Sequence, residues 1–138
     1  MNSNLNEMLQ GENEMDLKIP PPIFLDMEGE VLDSGENFMK IRFPVKERYQ
    51  NPFGYMQGGM LVAAMDNTIG PLSFMVAPPN VTTQLNISYI RPVTAETPYI
   101  IVEATVKEQT RKMLFIEARA LNPEGKVLCL AQATHQVL

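Results

Sequence analysis

The stretch "NPFGYMQGGMLVAAMDNTIG", residues 51–70, holds the side chains of this 138-residue chain whose types and spacing suggest chemistry. Two adjacent glycines, Gly58 and Gly59, open an apolar run, and a single acid, Asp66, sits inside it. Backbone N–H groups at a helix start lack intrahelical acceptors and lie at the positive end of the helix dipole. Glycine lets a ligand oxygen approach such groups closely, although a Gly-Gly pair also permits tight helix–sheet packing. A carboxylate among apolar neighbours is costly to keep ionised, and an acid kept there suggests a base or a nucleophile, unless it simply points to solvent or caps a loop. Gln57 offers an amide that can orient a carbonyl or a water but cannot act as acid or base. Asn51 can position water or substrate, or simply fold an Asn-Pro turn. Gln57 and Asp66 are nine residues apart, about 13 Å along a helix axis. They cannot both touch one carbonyl within one chain. Either one of them is uninvolved, or the site is shared between two copies.

The elements that must position these residues follow from periodicity. Residues 58–76 form the one long helical candidate, with Leu61, Ala64, Met65, Thr68, Ile69 and Leu72 at helical spacing and most other positions apolar or small. A helix apolar nearly all round should be buried on most sides, and Pro71 should kink or end it. Upstream, "IPPPIF" (residues 19–24) reads as an extended lead-in, and "ENFMKIRF" (residues 36–43) as a strand. Downstream, "TTQLNISYI" sets Thr83, Leu85, Ile87 and Tyr89 against Thr82, Gln84, Asn86 and Ser88. Three more alternating runs bury Ile100 to Val106, Leu114 to Ala120 and Val127 to Ala133 at every second position, joined by turn-like residues. Ile101, Met113, Phe115 and Leu121 share the opposite face with Glu103, Glu117 and Arg119, a mixture expected at an interface. A second subunit is therefore expected to complete the sheet or the helix edge.

Composition sets the frame. The chain is 45% hydrophobic and 20% charged with a net charge of −5, which fits one domain with a core and argues against nucleic-acid binding. One cysteine, Cys129, permits no internal disulfide and no cysteine metal pair. No metal and no cofactor is expected, and a reducing, cytoplasmic setting fits. Residues 1–18 read as a polar, acidic arm without the features of a signal peptide, and residues 19–138 as a single domain. The apolar region at 60–77 is interrupted by Asp66, Asn67 and Pro71, so no membrane span is expected.

The order strand, buried helix opened by Gly-Gly, then four antiparallel strands resembles the hotdog fold. That is an α+β fold in which an antiparallel sheet of five to six strands wraps one long helix. The spacing of Asn51, Gly58, Gly59 and Asp66, with "LNISYIRPV" (residues 85–93) after the helix, resembles the PaaI-type acyl-CoA thioesterases. The departure is Gln57, which stands where many relatives carry histidine. The resemblance implies thioester hydrolysis in a homodimer or a dimer of dimers, with Asp66 as base or nucleophile facing the partner's Gly58 N–H. Gln57 and Asn51 would orient the acyl-CoA substrate, with Gly59 beside them. Thr82 falls near a Ser or Thr that relatives place by the leaving group. Arg91, Lys107, Arg111 and Lys112 would meet the nucleotide phosphates, and Met56, Met60, Met65 and Met75 would line an acyl tunnel. His135 and Cys129 are assigned to packing. The alternative is a non-catalytic acyl-thioester or lipid binder in which Gln57 marks lost chemistry. A hydratase ranks last, because no histidine enters the helix.

Overall fold

The computed structural model describes residues 17–138, so the expected arm at 1–18 falls outside the described residues except for Leu17 and Lys18. Residues 19–24 are not wholly extended. A short helix, α1 (Pro22–Met27), begins inside them. Proline at the first helical position has the right φ, and its missing N–H would have no partner there anyway. The Phe24 and Leu25 N–H groups donate to the Pro21 carbonyl at 3.0 and 3.3 Å. Phe24 is buried edge-on against Phe43. Gly29 follows because a Cβ there would stand 2.7 Å from the Phe24 ring and 2.9 Å from Phe43.

The strand expected at 36–43 is one arm of a hairpin: β1 (Glu30–Gly35) and β2 (Phe38–Pro44) turn at the residues where that strand was expected to start. β1 carries no clean apolar alternation and is largely exposed. The long helix, α2 (Gly58–Val76), has the expected bounds. It runs through Pro71 rather than ending there. Its true end comes at Ala77, which is extended as a residue before proline prefers to be.

Four long antiparallel strands follow, β3 (Asn80–Tyr89), β4 (Tyr99–Gln109), β5 (Met113–Leu121) and β6 (Val127–Val137). The six strands form one sheet in the order β1-β2-β4-β5-β6-β3, and α2 packs across its concave side in the hotdog arrangement. The alternation in β4, β5 and β6 points inward as expected, with Ile100, Val102, Leu114, Ile116, Cys129 and Ala133 among the residues against the helix.

Two expectations are corrected. α2 is buried on one face only: Leu61, Ala64, Met65, Thr68, Ile69, Leu72 and Ser73 are inside, while Gly59 and Asp66 are exposed. Among the described residues, none covers Gly59 or Asp66. Second, β3 carries a bulge between Thr82 and Gln84. An extra residue reverses the facing of every side chain before it, so Thr82 pairs with His135 on the helix side instead of following Gln84 and Asn86 outward. On the outer face Arg119 pairs with Glu103 at 3.4 Å and Lys107 with Glu117 at 3.6 Å.

Candidate active site

Two clefts flank α2, and the predicted site residues divide between them. The first lies at the helix start. Met60 and Leu61 N–H both donate to the Gln57 carbonyl, at 2.9 and 3.1 Å. This leaves the Gly58 and Gly59 N–H groups as the pair with no acceptor inside the helix. A Cβ on Gly58 would meet the Tyr89 hydroxyl at 2.9 Å, and that hydroxyl donates to the Gly58 carbonyl at 2.9 Å. Close packing therefore explains Gly58. It does not explain Gly59, where a Cβ would meet nothing within 4 Å.

The Gln57 side chain is exposed and makes no cap bond. Asn51 is a loop organiser: its Oδ1 accepts from the Phe53 and Tyr55 N–H groups at 2.9 and 3.1 Å. The Arg91 guanidinium donates to the Val127 carbonyl at 2.7 Å. Asn51, Gly58, Tyr89 and Arg91 together line a cleft of about 300 Å³.

The second cleft lies against the middle of α2. It holds about 410 Å³ and is largely apolar, with Ile19, Pro21, Phe24, Ile41, Phe74 and Val81 in its wall. Asp66, Asn80, Thr82 and His135 form its polar side. Asp66 is not the buried, isolated carboxylate the apolar run suggests. It is exposed in the single chain and its Oδ1 lies 3.4 Å from the Thr82 hydroxyl. That hydroxyl is 3.1 Å from His135 Nε2, and His135 Nδ1 is 2.8 Å from Asn80 Oδ1.

His135 is thus more than packing: it is buried and joined to Asp66 through one hydroxyl. Burial holds its pKa below the usual histidine value, and the Asp66 charge opposes that shift. Sequence reasoning missed His135 and Asn80, although one signal was present. His135 shares the parity of Cys129, Ala131 and Ala133, so alternation already places an unexplained imidazole on the inner face. Cys129 is a packing residue, its thiol pushed by burial up to about 11.

Other expected groupings do not form within one chain. Gly58 and Asp66 line different clefts. Arg91 lies beyond the Tyr89 end of β3. Lys112, whose carbonyl accepts from Val137, lies with Arg111 at the Asn80 end. Lys107 is engaged with Glu117 on the outer face. The four methionines do not line the cavity beside Asp66: Met56 and Met65 are buried in the core, Met60 and Met75 half-buried against it.

Comparison with known proteins agrees with this architecture. A phenylacetic acid degradation-related protein of Ralstonia eutropha JMP134 superposes with a TM-score of 0.83 at 23% identity, over 98% of this chain and 100% of its own. The PaaI protein of the E. coli phenylacetic acid degradation operon gives 0.82 at 16% identity, over 99% and 96%. A hypothetical thioesterase protein from Streptococcus pneumoniae TIGR4, solved as an Asp→Ala variant, gives 0.75 at 20% identity, over 79% and 89%. It has also been solved as a Thr→Ala variant. No curated protein matches the chain. The family model of the thioesterase superfamily matches residues 53–129, from the loop before α2 into β6. That match covers more than half of the chain and includes both clefts' helix residues, and on it the chain belongs to the thioesterase superfamily.

Proposed function

We propose that the protein hydrolyses an acyl-CoA thioester to the free acid and CoA, in a two-fold dimer with two composite sites. Each site joins Asp66 of one protomer to the partner subunit's Gly58. The observation that carries this reading is the antiparallel ladder between α2 and β3: Thr82 stands beside Asp66, and Tyr89 beside Gly58. Val62, midway between Gly58 and Asp66, is then level with the centre of β3, near Leu85 and Asn86. A two-fold axis at that point sets two β3 edges antiparallel and brings Asp66 opposite the partner subunit's Gly58, a self-complementary contact.

Several features support it. β3 is a sheet edge, and an edge strand needs cover. Phe53, Val81, Tyr89 and Ile90 are exposed apolar side chains along that side. Gly59, open in the single chain, would lie where another backbone or a substrate approaches closely. The same axis would bring Arg91 toward the partner subunit's Arg111 and Lys112, so cations separated in one chain would converge on the CoA phosphates. In the Streptococcus protein the substituted aspartate and threonine stand sixteen residues apart, the spacing of Asp66 and Thr82 here.

Chemically, Asp66 takes a proton from water as the water oxygen bonds to the thioester carbon. The carbonyl electron pair moves onto oxygen, where the Gly58 N–H stabilises it. When the C=O bond re-forms, the C–S bond breaks, and the departing CoA thiolate takes the proton from Asp66. Gln57 and the free amide nitrogen of Asn51 orient the carbonyl, and the apolar cavity beside Asp66 takes the acyl group.

CoA release from short, medium, long and aromatic acyl-CoAs tests this reading. Asp66→Asn should lower kcat by ~100-fold or more with the dimer intact. Equal rates in both proteins would remove Asp66 from the mechanism. Tight acyl-CoA binding without release by the unmodified protein would make it a binder.

A further inference from the structure

The Asp66, Thr82, His135 and Asn80 chain contains one mobile proton too few for its acceptors. Asn80 Nδ2 donates to the Pro78 carbonyl at 2.9 Å and the Ser73 carbonyl at 3.4 Å, which fixes its Oδ1 toward the ring. Because Oδ1 can only accept, His135 Nδ1 carries a hydrogen, and in the neutral ring Nε2 is a lone pair. The Thr82 hydroxyl has one proton and two acceptors, Nε2 at 3.1 Å and the Asp66 carboxylate at 3.4 Å. It can satisfy only one of them.

We propose that His135 is a positioning residue for the hydrolysis: its Nε2 decides whether the Thr82 hydroxyl donates to the imidazole or to Asp66, and so sets how strong a base Asp66 is. With the ring neutral, the shorter contact takes the hydroxyl proton. Thr82 then presents lone pairs to Asp66, which raises the carboxylate's proton affinity. Adding one proton at Nε2 reverses the chain. Nε2–H donates to Thr82 Oγ1, Thr82 donates to Asp66, and the stabilised carboxylate becomes a weaker base. No bond other than O–H and N–H changes, and the proton comes from solvent.

The surroundings suit a switch of this kind. Asp66 on α2 is the charge that acts on the ring. β3 contributes the uncharged Asn80 and Thr82, and β5 the apolar Leu114 across from His135. Lys18 lines the same cavity from the N-terminal segment. Since burial lowers the ring's pKa, the basic arrangement holds at neutral pH and is lost on acidification below the usual histidine range.

The inference rests on Asp66 acting as base, but one arm of its test does not need turnover. His135 is the only histidine, so ¹⁵N-histidine NMR reports on it alone. The neutral ring should show hydrogen on Nδ1 and none on Nε2, and Asp66→Asn should move its titration to lower pH. A neutral Nε2–H ring, or a titration indifferent to Asp66→Asn, overturns the proposal whatever the enzyme does. In the kinetic arm, the acid limb of kcat/KM should coincide with the His135 titration. Both His135→Gln and Thr82→Val should lose that limb, and Thr82→Ser should restore it. A uniform drop in rate with the limb unchanged in both variants reduces His135 to a structural residue. Absence of CoA release from every thioester, with the NMR result as expected, refutes the hydrolase reading and leaves the coupling standing.

Discussion

At the residue scale, the two glycines of one motif have different physical reasons to be glycine. At Gly58 a methyl group must displace the Tyr89 hydroxyl, which its Cβ would approach to 2.9 Å. Gly58→Ala should therefore cost ~1 kcal/mol through the Tyr89 hydrogen bond. At Gly59 the space is open within the chain. Gly59→Ala should stabilise the helix by ~0.5–1 kcal/mol yet still lower turnover, because in the proposed dimer that room is taken by a substrate or the second subunit. Thermal denaturation beside CoA release separates the two, and a Gly59→Ala protein with full activity would show that its open face is idle. Sequence alone could not distinguish them, since the difference lies in Tyr89, thirty-one positions away. Asp66 was legible because a charge inside an apolar run stands out from every neighbour. Its exposure was not, because periodicity says which positions are apolar and not whether one chain can cover them.

At the scale of elements, the helix and the last three strands were readable from spacing, as each keeps one period over most of its length. β1 was not, because an exposed edge strand needs no apolar alternation: its residues Glu30, Leu32 and Asp33 are all open to solvent. The bulge in β3 was also invisible, since it exists only in the register of β3 against β6. Yet that one extra residue assembles the polar side of the candidate site, by turning Asn80 and Thr82 toward His135. Thr83 is the extra residue, so deleting it would leave Thr82 opposite His135 and both side chains inward; a point substitution tests the device instead. Asn80→Ala leaves the buried imidazole without its partner, at a cost of ~1–3 kcal/mol. The urea midpoint should fall accordingly. An Asn80→Ala protein with unchanged stability would mean that turning Asn80 inward holds nothing in place.

At the scale of the molecule, what matters is that the described residues of one chain leave its clefts apart and one side of α2 uncovered. The Asp66 and Gly58 clefts share no lining residue, and the two residues lie about 12 Å apart along the axis of one helix. In the proposed dimer a second copy unites them, and that has an arithmetic consequence. Consider one variant without the base, Asp66→Asn, and one without the oxyanion donor, Gly58→Pro, which removes the N–H at a helix position where proline is tolerated. Pairing the latter with Tyr89→Ala makes room for the ring. Each homodimer has two dead sites. In a mixed dimer both lesions fall in the same site, and the other joins an intact Asp66 to an intact Gly58. Equal amounts refolded together give mixed dimers as about half of the population, each with one working site, so CoA release should recover to about a quarter of the unmodified rate. A site contained within one chain predicts no recovery at any mixing ratio. Since neither parent protein is active, recovered turnover can come only from a site that two chains build between them.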